Sequence, residues 1–173
     1  LQQSIDALAS RDEATWSQAL HEIGLRPIDA ARPAVPAIIR LLNREGSDET
    51  ALYCDDLARF GAAAVPGLPV LVRHFEQIEG QSVPLQGCIE DIAAAGGPSV
   101  IPIVLRIVAD RVRLGSKGFP NDVNMRLEVG TWTRMGFDRP IDGFKEAADG
   151  PLRRALASRD PFIRAEAAYF YGG

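Results

Sequence analysis

The sequence predicts an all-α fold, an α-solenoid of about five helix pairs and roughly ten helices, with truncated terminal repeats. Three observations carry this. Glycine closes a helix-like stretch at Gly24, Gly61, Gly96, Gly136 and Gly172, at intervals of 37, 35, 40 and 36 residues. The stretches "AVPAIIRLL", "AVPGLPVLVRHF" and "SVIPIVLRIV", each following a closure, lead with proline and continue as aliphatic runs. The phrase "ALASRD" stands at both 7–12 and 155–160, an offset of 148 residues, four times 37. Self-similarity at such a period marks repeat units that cannot bury their apolar faces alone and stack on their neighbours.

Residues 2–10 read as a second-type helix whose partner is missing. First-type helices then carry apolar stripes at Trp16, Leu20, Ile23; Tyr53, Leu57, Phe60; Cys88, Ile92, Ala95; Trp132, Met135; and Ile163, Ala167, Tyr171. These i, i+3, i+4, i+7 spacings give one buried face per helix. A glycine just past the last apolar residue can take the left-handed conformation that ends a helix. Pro36, Pro66 and Pro102 open the second-type helices, since a first-turn proline lacks only an N–H that had no partner. "GSDET" (46–50) and Asp160-Pro161 open first-type helices, the latter with Asp as cap. No segment alternates with period two for long enough to argue a strand. The fourth unit departs from the pattern: "LGSKGFPNDVNM" (114–125) is an irregular insertion, and "FDRPIDGFKEAADGPLRRAL" holds two glycines. "ALASRD" is thus the end of a second helix plus the break before the next unit.

At 173 residues, the chain fits a single repeat domain, 1–173. Its 46 % hydrophobic and 24 % charged residues belong to an ordinary globular protein, and a net charge of −4 supplies no global basic field for nucleic acid or anionic lipid. Lys117 and Lys145 are the only lysines among nineteen basic residues; the rest are arginine, which suits bidentate pairing with carboxylates. Cys54 and Cys88, inside apolar helical patterns, read as buried thiols of a reducing compartment. No apolar run approaches the length of a membrane span, and "LQQSIDALAS" has no signal-peptide character, so a cytoplasmic location is expected. The chain opens without Met, as a mature or excised piece of something larger would.

The recurring frame, a Leu-rich helix end, Asp, a break, an Arg and Ala helix closing on Gly, then a Pro-led aliphatic helix, resembles the HEAT-repeat family. The likeness is to its bacterial branch related to phycobilin lyase subunits. "LASRDPFIRAEAAYFYG" carries Arg164, Ala167, Ala168 and Gly172 in that frame, and "DLARFGAAAVPGLPVLV" carries Leu57, Gly61, Val65, Pro66 and Leu71. The resemblance implies a right-handed solenoid whose second helices line the concave wall; these repeats serve many roles, so it implies no activity. Tetratricopeptide and ankyrin alternatives fail on period and signature residues.

A register runs through the second helices. "IIRLL", "LVRHF" and "VLRIV" place Arg40, Arg73 and Arg106 at one point of three successive helices, 33 residues apart. One turn on come Arg44, Gln77 and Asp110, and "LRRAL" sets Arg154 at the matching place in the fourth unit. The apolar stripe, Leu68, Leu71, Val72, Phe75 and Ile78 in the second of these helices, lies elsewhere. The row therefore reads as an arginine ladder for an acidic segment of a protein partner, because guanidinium forks bind carboxylates in pairs. The competing reading is internal pairing with Asp55, Asp56, Glu90 or Asp91, or simple solvation.

Chemistry has less support. His21-Glu22 resembles the His-Glu pairs that deoxyhypusine hydroxylase, a HEAT-like enzyme, uses to hold iron, but His74 is followed by Phe75 and no second pair exists. Two His and two Cys lack the spacing of a zinc site. There is no nucleophile turn with a base, phosphate loop or dinucleotide fingerprint. The expectation is a non-catalytic protein-binding scaffold without cofactor, metal or membrane. An accessory subunit of a lyase-type or other enzyme is the alternative. Nucleic-acid binding through Arg106, Arg111, Arg113 and Lys117 is the third reading, disfavoured by net charge. "YFY" (169–171), at a helix end without a covering partner, is a place for oligomerisation.

Overall fold

Every regular element in the described residues is helical, and no strand occurs among them. The computed structural model describes residues 1–77, 83–118, 141, 144 and 146–172. Eight helices reach ten residues or more: α1 (Glu13–Gly24), α2 (Val35–Arg44), α3 (Ser47–Ala58), α4 (Leu68–Gln77), α5 (Val83–Gly96), α6 (Ile101–Gly118), α7 (Glu146–Leu156) and α8 (Pro161–Gly172). A six-residue helix, Gln2–Ala7, precedes them, and a helical turn, Ile28–Ala31, leads toward α2. Eight long helices are fewer than the ten expected. Trp132, Met135 and Gly136 lie outside the described residues, as does the insertion beyond residue 118; its first residues, 114–118, simply extend α6.

Local chemistry explains the boundaries. Asp12 caps α1, accepting the Thr15 N–H at 3.0 Å. Asp160 caps α8 by accepting the Phe162 N–H at 2.9 Å. Each Pro-led helix is entered through a short 3₁₀ segment: Arg32–Ala34, Gly61–Gly67 and Gly97–Val100. Pro36 and Pro102 sit in the first turns of α2 and α6, as expected. Pro66 instead lies inside the 3₁₀ segment, so α4 starts two residues later, at Leu68. In α7, Gly150 and Pro151 are both tolerated within a helix.

The glycine rule holds at Gly61, whose φ of 54° needs no Cβ penalty, but the third closure falls on Gly97 (φ 61°) and not on Gly96. Gly67 serves close approach: a Cβ there would lie 2.6 Å from Leu57 Cδ2 and 3.3 Å from Ile39 Cγ1.

The chain divides into two compact units, Leu1–Ile92 and Ala93–Gly173. In the first, α2 packs on both α3 and α4, and α1 packs on the N-terminal helix. Trp16, Leu20, Ile23, Ile38, Leu42, Leu57, Leu68 and Leu71 form its buried heart. Trp16 meets the edge of Tyr53 at 5.2 Å and 83°, tying α1 to α3. In the second unit α6, α7 and α8 pack on one another around Val104, Leu105, Val108, Leu152 and Ala167. Of the described stripe residues, Trp16, Leu20, Ile23, Leu57, Phe60, Cys88, Ile92 and Ala167 are buried, Tyr53 and Ile163 are half-buried, and Ala95 and Tyr171 are exposed; Ala93 takes the inward place beside Ile92.

The expectation that no run reaches span length needs correction. Pro84–Ala109 is 26 residues long with mean hydropathy 1.8, enough by length and composition to cross a membrane. It forms two helices, α5 and α6, broken at left-handed Gly97, and its apolar residues Leu85, Ile89, Ile92, Ile101 and Val108 are packed inside the protein.

Candidate functional site

Within the first unit, α2 and α4 lie side by side because their apolar stripes share the core. Arg73 on α4 reaches across to α2, donating to Asn43 Oδ1 at 2.6 Å. Asn43 is one turn from Arg40, so Arg40 and Arg73 share an exposed face, as the register requires. Arg40 is exposed and makes no hydrogen bond or ion pair to a described residue. Arg44 is engaged internally: it pairs with Glu45 at 2.6 Å and donates to the Ala9 carbonyl at 3.1 Å. Gln77 is exposed at the end of α4 and hydrogen-bonds His74.

The second unit carries the remaining members. Arg106 on α6 and Arg154 on α7 are exposed and without a polar partner among the described residues. Asp110 lies in α6, its side chain outside what is described. No row member pairs with Asp55, Asp56, Glu90 or Asp91 among the described residues; Glu90 accepts instead from Gln86 at 2.8 Å. Arg113, read with the basic cluster, turns inward to Asp160 at 2.5 Å and over the Phe162 ring at 5.0 Å.

Sequence reasoning missed a cleft of about 630 Å³ between α1 and α3, lined by Ser17, His21, Tyr53, Asp56 and Arg59 among others. Its polar groups come from adjacent first-type helices, so residues one period apart face each other: His21 with Asp56, Gly24 with Arg59. Arg59 donates to the Gly24 carbonyl and, at 2.9 Å, to that of Arg26, which satisfies the free end of α1. Ser17 Oγ and Tyr53 Oη lie 3.4 Å apart. Asp56 is half-buried and accepts no hydrogen bond from a described residue. Burial pushes its carboxyl above the ordinary aspartate value, against the pull of Arg59. The cleft thus holds an acceptor without a donor beside a guanidinium committed to backbone.

The two histidines part ways. His21 is exposed at this cleft, while its neighbour Glu22 turns toward the N-terminal helix, accepting from Ser4 Oγ at 3.0 Å and Gln18 at 3.3 Å. Those bonds hold the Glu22 carboxyl below its usual range. A shared His-Glu ligand pair is therefore not formed. His74 is buried with Nε2 2.9 Å from the Leu42 carbonyl, which makes Nε2 the protonated nitrogen; burial pushes its pKa down. Cys54 and Cys88 are free and buried, as expected. The neighbouring Cys54 thiol, and then burial, push the Cys88 thiol up. At the chain's far end Tyr169 and Tyr171 are exposed, with Arg153 over the Tyr171 ring at 5.5 Å.

Compared with known proteins, the chain matches no family model, no curated protein and no solved structure.

Proposed function

We propose that this chain is a non-catalytic protein-binding module of HEAT-like helix pairs whose second-type helices receive an acidic segment of a partner. The observation that carries the reading is the state of its arginines. Arg40, Arg106 and Arg154 stand exposed without a polar partner among the described residues, at the register positions that repeat along the sequence. Arg73, beside Arg40, is pre-positioned by Asn43 and keeps a guanidinium edge for a carboxylate. Arg44 buttresses the wall from within, through Glu45 and Ala9. Recognition would be charge-assisted, with Arg40 and Arg73 acting together in the first unit and Arg106 and Arg154 contributing in the second, so single substitutions would weaken it in steps. The exposed tyrosines of α8 offer a separate surface for a second copy of the chain.

A fluorescent oligo-glutamate peptide tests this by anisotropy, against an oligo-lysine peptide and plain duplex DNA. The expected result is binding of the acidic peptide alone, lost at least tenfold in a folded Arg40→Glu, Arg73→Glu, Arg106→Glu variant. Unchanged peptide binding in that variant would sink the proposal. Preferential, steeply salt-dependent binding of the duplex would replace it with nucleic-acid recognition.

A further inference from the structure

Cys54 and Cys88 stand 34 residues apart, at matching places on successive first-type helices. Within the first unit, that period brings α3 against α5 and sets the two thiols side by side. A ligand atom of each, Sγ and Sγ, lies within 4.8 Å of the other and of a carboxylate oxygen of Asp55. Cys54 and Cys88 are 0 % and 1 % exposed, whereas Asp55 faces solvent. The cluster is therefore dry on the core side and open through its carboxylate. Cys54 Sγ also lies 3.7 Å from the Ala51 carbonyl and 3.8 Å from that of Pro84, so backbone oxygens fix its direction. Two soft donors and one hard donor constitute a set that suits a borderline-soft divalent cation.

We infer that Cys54, Cys88 and Asp55 form a binding site for one divalent cation of the zinc class, with solvent as the fourth ligand. A tetrahedral ion with Zn–S near 2.3 Å holds neighbouring ligand atoms about 3.8 Å apart. The three donors need to close by no more than about 1 Å from their present span, a rotamer-scale adjustment. Binding exchanges two thiol protons, which leave to solvent, for bonds from two thiolate sulfurs and one carboxylate oxygen to the ion. No electron transfer is involved. Cations with strong oxygen preference, such as magnesium and calcium, would be rejected because two of three donors are sulfur. The site is separate from the arginine wall and stands whether or not the binding function holds.

Cobalt(II) titration of the reduced, metal-free protein tests the site. The expected result is a thiolate-to-cobalt charge-transfer band with tetrahedral visible bands, saturating at one equivalent and bleached by zinc. Cys54→Ser and Cys88→Ser should each abolish the charge-transfer band, and exposed Asp55→Asn should weaken binding at least tenfold while leaving the melting temperature unchanged. Should a cysteine variant fail to fold, the Asp55→Asn arm still decides. The inference is overturned if the folded wild type gives no thiolate band, or if Asp55→Asn binds as tightly as wild type. It is equally overturned if the purified protein, denatured without reductant, shows no free thiols because the pair is a disulfide.

Discussion

The two copies of "ALASRD" build the same turn in two different settings. In both, the serine amide closes a short turn, Ser10 N to Ala7 O at 3.0 Å and Ser158 N to Ala155 O at 2.9 Å. In both, the aspartate N–H donates to that serine's Oγ, at 3.1 Å in the first copy and 3.2 Å in the second. Both aspartates then cap the next helix, whose first backbone bonds run from Trp16 N to Asp12 O at 3.2 Å and from Arg164 N to Asp160 O at 3.1 Å. The difference lies beyond the local chain. Asp12 turns its carboxylate only to Thr15, whereas Asp160 also receives Arg113, 47 residues away. Identical local text yields the same turn and an aspartate cap in both places, closed on Thr15 in one and on Phe162 in the other, and the tertiary neighbour decides what each cap is worth.

The largest expected effect comes from what each cap delivers to the core. Trp16, four residues past Asp12, is 2 % exposed. Trp16→Ala should cost about 3–5 kcal/mol by denaturant unfolding. Phe162→Ala, at a half-buried ring under Arg113, should cost clearly less; equal losses would mean the two settings are energetically alike. Next come the caps. Asp160→Ala should lower the melting temperature further than Asp12→Ala, and Arg113→Ala should erase the gap. If the gap survives without Arg113, the ion pair is not its source.

Acid should act on both caps in the same direction. The Thr15 hydroxyl and amide hold Asp12 below its ordinary value of 3.8. Burial pushes Asp160 up, but Arg113 and the Phe162 N–H more than reverse it, so it too lies below 3.8. A depressed folded pKa means the unfolded chain binds more protons. The stability from these groups is therefore complete above 3.8 and is lost as pH falls through the folded values. Asp56 has the opposite sign. Its raised pKa makes its contribution complete below 3.8 and lost as pH rises through the folded value. Asp56→Asn should accordingly raise the melting temperature at neutral pH and leave it unchanged in acid, as scanning calorimetry would show. A fall at neutral pH would mean that the ionised carboxylate is held by favourable partners. The smallest effect is expected at Arg11 and Arg159, the exposed arginines of the two copies, where alanine should change stability by less than about 0.5 kcal/mol.

Much of the candidate site could be read in advance, and the remainder could not. Arg40, Arg73, Arg106 and Arg154 are exposed because the apolar stripes of their helices leave no other face for them. That Arg73 would take Asn43, and Arg44 the Ala9 carbonyl, required knowing which loop ends meet. The cleft around Asp56 was missed because His21, Asp56 and Arg59 resemble solvated helix residues one at a time. Their period spacing was the available signal, and the same spacing pairs Cys54 with Cys88.

The sequence by itself determined the all-helical class, the capped start at Asp160, the prolines in the first turns of α2 and α6, and the burial of Trp16 and Leu57. These rest on bonds spanning about four residues and on a 3.6-residue period, both of which are written locally. Tertiary structure decided that Asp160 receives an arginine while Asp12 does not, that Asp56 loses its water, and that two thiols lie within 4.8 Å of each other. Each of those depends on partners 30 to 47 residues away, as the Arg73–Asn43 and Arg113–Asp160 contacts are, or on burial. A dry neighbour changes the free energy of a charge more than any adjacent residue can.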